Sequence, residues 1–106
     1  MGVIGGRRGK IHQNIGQNLA DLNTVIRPRL TVVDATRILL RNGPQGGNLN
    51  DVKNIDTVIA SADPVAADAY ATTLFGLQPG DIESTRAASQ MGLGEMNLSK
   101  LDIITV

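Results

Sequence analysis

The chain has 106 residues, 42% of them hydrophobic, with ten cations balancing ten anions and no cysteine; that length can bury a core of its own as one domain. Without cysteine, structural disulfides, thiolate nucleophiles, zinc–thiolate centres and conventional iron–sulfur ligation are excluded from this chain. No apolar run approaches the roughly 18 residues of a membrane span, and the N-terminus carries glycine and charge where a secretory signal has its apolar stretch, so a cytoplasmic protein is expected.

Charge is unevenly distributed along the chain. Up to Arg41 seven cations face two anions, a net +5; thereafter three cations face eight anions, a net −5. Such polarity suits an anion at one end, pairing between the two halves, or pairing with another subunit. Nucleic acid is not an expected partner, because zero net charge and only two aromatics, Tyr70 and Phe75, leave little for phosphate neutralisation and base stacking. Membrane attachment has still less support.

Residues 5–10, Gly-Gly-Arg-Arg-Gly-Lys, combine flexible backbone with the cations Arg7, Arg8 and Lys10 ahead of a helical pattern. Backbone amides and cations at a helix start suit phosphate or carboxylate. A solvated basic terminus is the plain alternative. The loop is not a P-loop, since the G-x-x-x-x-G-K-[ST] spacing fails and Ile11 stands where a hydroxyl residue is required.

Ile11, Ile15, Leu19, Leu22 and Ile26 recur at helical spacing and predict one amphipathic helix ending before Pro28. His12, the only histidine, falls near its start, where the helix dipole favours the neutral imidazole and leaves a nitrogen for base or ligand chemistry. With no second histidine or carboxylate at ligand spacing nearby, a hydrogen-bonded helix-entry residue is the competing reading.

Residues 30–40 alternate with β-branched content and predict a strand carrying Leu30, Val32, Asp34, Thr36, Ile38 and Leu40 on one face, which would set Asp34 among apolar neighbours. Asn42-Gly43-Pro44-Gln45-Gly46-Gly47-Asn48 follows as a dense turn signal. Its length and its glycines, Gly43, Gly46 and Gly47, let backbone approach a ligand or simply close a hairpin. The next strand, over about 56–61, is expected to return antiparallel.

Asp63-Pro64 has the chemistry of a helix start, with Asp as N-cap and Pro at the first helical position, and that helix is expected to stop at Gly76. A further helix after Pro79-Gly80-Asp81 carries Ile82, Thr85, Ala88 and Met91 before Gly92. Residues 102–106 read as a closing strand. The expected architecture is α/β, with α+β as the alternative: one mixed sheet of about three strands with helices packed on it, in the order α-β-β-α-α-β.

The alternation places Asp34 within an apolar strand, and Asp68 lies inside an alanine-rich helix. A buried unpaired carboxylate costs several kcal/mol, so each requires a cation, a donor cluster or a raised pKa. Arg37 or Arg41 would serve Asp34. Convergence of Asp34, Asp63 and Asp68 would instead allow Mg²⁺ coordination or shared-proton acid/base chemistry, although an N-cap role accounts for Asp63 without either.

Several ordered stretches bear a family resemblance: Gly2-Val3-Ile4-Gly5-Gly6-Arg7-Arg8-Gly9 with Ile11-His12-Gln13, residues 30–34, Arg41-Asn42-Gly43-Pro44-Gln45-Gly46-Gly47, and residues 59–70, Ile-Ala-Ser-Ala-Asp-Pro-Val-Ala-Ala-Asp-Ala-Tyr. Over essentially the whole chain these resemble the C-terminal portion of the family called domain of unknown function 362. The resemblance implies that fuller members carry an N-terminal half, with Met1-Gly2 falling inside the usual family sequence. It also implies that some members are fused or linked to ferredoxin-like iron–sulfur segments, whose ligands this chain lacks.

An exposed sheet edge or apolar face, covered by self-association, is expected to follow. The leading functional expectation is a binding or catalytic portion of a larger enzyme-like protein, holding an anionic small molecule between Arg7, Arg8 and Lys10 and the loop bearing Asn42, Gly43, Gly46 and Gly47. His12, Asp34 and Asp68 are its candidate catalytic groups, and no metal site is assigned. The alternative is a non-catalytic scaffold that forms homo-oligomers or docks to an iron–sulfur protein.

Overall fold

The computed structural model describes residues 5–44 and 47–106 and contains three α-helices and a two-stranded antiparallel sheet among them. A 3₁₀ turn, Arg8–Asn14, leads into α1 (Ile15–Val25). Strands β1 (Thr31–Leu39) and β2 (Val52–Ser61) form a hairpin, and α2 (Pro64–Thr73) and α3 (Glu83–Gln90) follow. The predicted first helix is thus split, because Asn14 takes a non-helical φ of −146° at the junction.

Helix boundaries follow from local chemistry. The Asp63 side chain accepts the Ala66 amide at 3.0 Å, Pro64 occupies the first turn, and Gly76, with φ +74°, stops the chain just beyond α2. Positive φ costs glycine nothing. At the end of α3, Gly92 repeats that conformation and Leu93 donates its amide to the Ala88 carbonyl at 3.0 Å, closing the helix with a reversed last turn.

The core is built from small side chains. Helix α2 lies against both strands and against α3, while α1 packs on α3. Ala66, Ala67 and Ala69 are 7%, 1% and 0% exposed, so α2 is buried around most of its circumference. An alanine surface lets neighbouring backbones approach closely, and the resulting contacts have little slack. Ala20 of α1, Val65 of α2 and Ala87 and Ala88 of α3 form one buried cluster, with Leu93 and Met96 packed against it.

Two glycines permit these approaches. A Cβ on Gly16 of α1 would lie 2.5–2.8 Å from the Glu83 side chain, and one on Gly94 would overlap the Asp63 carboxylate and the Val65 side chain. The space beside Gly94 is needed because Asp63 bonds twice. Its second oxygen accepts the Glu95 amide at 2.9 Å, linking the start of α2 to the turn after α3.

The sheet departs from the expectation in two ways. Pairing runs from Thr31↔Ser61 to Ala35↔Thr57, then resumes at Arg37↔Asn54, so β2 carries an extra residue and Asp56 adopts φ 47°. Such a bulge turns the following side chains over. Before it Thr31, Val33 and Ala35 face inward; after it Ile38 does. Leu30, Val32, Asp34 and Thr36 therefore line the exposed side, the reverse of the face predicted for the first half of the strand.

The third strand expected over 102–106 is absent, and the element order is α-β-β-α-α. Residues 101–106 run without ladder hydrogen bonds along a cleft of about 540 Å³ bounded by residues 56–61 of β2 and by Ala66, Ala67 and Tyr70. Strand propensity is realised only where side chains pack against a second layer. Ile104, at 80% exposure, has none.

The tight helix crossing predicts the outcome of two substitutions. Gly16→Leu should lower stability by about 1–3 kcal/mol through overpacking against Glu83. Gly80→Ala, with no atom within 4 Å of the added methyl, should remain within about 0.5 kcal/mol of the parent. Urea unfolding monitored by circular dichroism measures both.

Candidate functional site

The hairpin loop is organised by one buried carboxylate. Asp51, 6% exposed, ends a 3₁₀ turn, Leu49–Asp51, that the Asn48 side chain caps by accepting the Asn50 amide at 3.0 Å. Asp51 accepts Arg41 Nε on one oxygen at 2.7 Å and Asn42 Nδ2 on the other at 3.0 Å. Its backbone carbonyl takes the Leu40 amide at 2.8 Å. Three consecutive residues leaving β1 are therefore tied to one residue entering β2.

This clamp determines what the loop presents. Asn42 adopts φ 59°, a conformation asparagine tolerates better than most side chains. A Cβ on Gly43 would meet the Leu39 side chain at 2.7 Å, whereas one on Gly47 would make ordinary contacts, so packing accounts for the first glycine only. Arg41 commits only Nε to Asp51 among the described residues, and its side chain is 71% exposed. Its outer guanidinium edge keeps the two-pronged donor geometry that matches a carboxylate or phosphate.

Hydrogen bonds from Asn42 first, and then from Arg41, hold the Asp51 carboxyl below the ordinary carboxylate range, against the opposing effect of burial. Sequence reasoning counted Asp51 only as a charge. The available signal was a loop that opens on two strong donors, Arg41 and Asn42, and holds no carboxylate before Asp51, just ahead of the returning strand.

The basic segment is arranged differently from the expectation. Gly6 has φ +75°, but the 3₁₀ turn begins at Arg8, so Lys10 lies within the turn rather than ahead of it. Arg7, Lys10 and His12 are exposed, and Asn18 fastens the turn to α1 through the Ile11 carbonyl at 2.9 Å. Among the described residues no hydrogen bond or ion pair joins this segment to the hairpin loop. Gly46 and the Arg8 side chain lie outside the described residues.

The aspartates do not converge. Asp34 is exposed on β1, where its carboxylate accepts the Thr36 hydroxyl at 2.7 Å and the Thr36 amide at 3.0 Å beside the register shift. Those two bonds, with a smaller contribution from Arg37, lower its pKa. Neither Arg37 nor Arg41 forms an ion pair with it among the described residues. Asp63 is occupied as the N-cap. Asp68 lies on α2 at the rim of a separate cleft and is exposed rather than interior as its alanine-rich surroundings suggested, while partial burial pushes its carboxyl upward. No group of three metal-ligating side chains occurs among the described residues.

The class so defined is a small mixed α/β fold in which an alanine-rich helix backs an antiparallel hairpin whose connecting loop carries a clamped arginine. The family described as "Domain of unknown function (DUF362)" matches residues 1–73, and the chain belongs to that family. The match covers the hairpin, its loop and α2, and leaves α3 and the C-terminal segment outside it, a narrower span than the near-complete resemblance read from the sequence. No curated protein and no solved structure matches the chain.

The lowered pKa of Asp51 sets a pH dependence for the loop. A carboxylate favoured in the folded state contributes stability above its unfolded pKa, about 3.9, and loses it as pH falls through the lower folded value. Amide exchange in residues 40–43 and 47–51 should therefore accelerate with acid below about pH 3.9 beyond its intrinsic pH trend. In Asp51→Asn the faster exchange should be present already at neutral pH.

Proposed function

We propose that the chain is the ligand-binding part of a larger enzyme-like unit and takes a small anionic molecule, a carboxylate or phosphate ester, at the hairpin loop through Arg41. The observation that carries this reading is the single-nitrogen attachment of Arg41 to Asp51. It restrains the side chain before binding and leaves the outer edge to the ligand. Holding a long side chain in place beforehand reduces the entropy lost on association. Asn42 and the backbone near Gly47 complete the rim, while Arg7 and Lys10 contribute long-range attraction that salt screens.

The test is a thermal-shift screen with inorganic phosphate, nucleotides and short dicarboxylates. A ligand at one hundred times its Kd stabilises the folded state by about 2.7 kcal/mol. Arg41→Ala should abolish the shift and Arg41→Lys should weaken it, because lysine lacks the planar fork. An unchanged shift in Arg41→Ala would overturn the assignment.

A second reading is supported by the outer face of the sheet. Leu30, Val32 and Val58 are 63%, 60% and 65% exposed on one face of the hairpin, where Val32 pairs with the exposed Ala60 and Val58 with Asp34, and exposed apolar side chains that share a face mark contact sites. In this reading the chain is an assembly domain that pairs with a second copy or docks to an iron–sulfur protein whose cysteines supply the cluster. Sedimentation should then detect an oligomer that Val58→Glu dissociates. A monomer at all concentrations would exclude self-assembly.

A further inference from the structure

The three helices enclose a cleft of about 160 Å³ that neither reading above uses. Its apolar walls include Leu19 of α1, Val65 of α2 and Leu93 after α3; its polar lining is Asn23, Asp68, Ser84 and Thr85. A cavity of about 150 Å³ holds a benzene-sized guest, so the space suits a molecule of about six heavy atoms.

The polar lining is rich in acceptors. Asn23 donates its amide nitrogen to the Leu19 carbonyl at 2.9 Å, which identifies the remaining polar atom as the acceptor Oδ1. The Asp68 carboxylate has no hydrogen-bond or ion-pair partner among the described residues, its backbone carbonyl alone accepting the Thr72 hydroxyl, and the cleft lining contains no lysine, arginine or histidine. Burial raises its pKa, as for a carboxylate that lacks a donor.

Thr85 provides an independent observation. It is 2% exposed and its hydroxyl has no partner. A helical threonine ordinarily bonds the carbonyl four residues back, and a buried hydroxyl left unmatched is unfavourable enough to require an explanation. Here it belongs to the same pocket as Asp68.

We propose that this cleft binds a short alkylammonium group, with Asp68 as its counter-ion, the Asn23 and Thr85 oxygens as further acceptors, and the alkyl chain against Leu19, Val65 and Leu93. An ammonium brings three donors and a positive charge to a lining whose one ionisable group is Asp68, and four or five carbons fill the remaining volume. The group could come from a free amine or from the end of a lysine side chain, and two probes distinguish these sources.

The full chain, labelled with ¹⁵N, is titrated at constant ionic strength with n-butylammonium, with n-butanol as the uncharged counterpart, and with Nα-acetyl-lysine amide. The ammonium should shift the amides of Asp68, Ser84, Thr85 and Leu93, and butanol should bind at least tenfold more weakly. Tighter binding of the lysine derivative than of butylammonium identifies a peptide lysine as the source; weaker binding identifies a free amine.

Asp68→Asn, with folding verified from its spectrum, should weaken butylammonium at least tenfold, while Asp102→Asn should leave it unchanged. Equal binding of butanol and butylammonium, unaltered affinity in Asp68→Asn, or shifts confined to other surfaces would overturn the proposal.

Discussion

The slenderness of α2 is the constraint on which the rest of the structure depends. Ala66, Ala67 and Ala69 allow this helix to contact the sheet and α3 simultaneously. A larger side chain at any of these positions would have to displace a neighbouring backbone rather than rotate aside, because close-packed interiors retain little free volume. Gly16 and Gly94 extend the same principle to the neighbouring contacts, where Glu83 and Asp63 occupy the space a methyl group would need. With few large hydrophobic side chains in the interior, element positions are determined largely by how closely backbones approach.

Features governed by adjacent residues were legible from the amino-acid order. Asp63 and Pro64 start α2, and Gly76 and Gly92 follow the helix ends, because capping and left-handed conformations are decided within a few residues. The antiparallel return of β2 was legible too, from the polar loop preceding it. The strand face was not, since one extra residue near Asp56 reverses the alternation midway and a constant period of two cannot register it. The closing strand failed for a related reason: Ile104 and Val106 have suitable side chains but stay exposed beside the cleft, so little packing supports a ladder.

The sites follow the same division. Arg41 and Asn42 lay within a recognised loop, but their acceptor is nine or ten residues distant. Asp68 stood out as a charge in an alanine-rich helix. Its surroundings emerge only when α1 and α3 are brought beside it. Asp34 drew attention through a pattern that the bulge cancels, and Thr36 rather than a distant cation satisfies it. The charge division along the chain nevertheless has a spatial counterpart, with a guanidinium edge exposed on the hairpin loop and an unpaired carboxylate among the helices.

The two bonds made by Asp63 bear on cooperativity. One carboxylate serves the Ala66 amide at the head of α2 and the amide of Glu95, 32 residues beyond Asp63 itself. Fraying of α2 from its first turn therefore releases the segment after α3 at the same moment, and detachment of that segment removes an anchor of the cap. Two regions far apart in the chain are joined into one unfolding unit through a side chain of four heavy atoms, without a disulfide or a metal to bridge them.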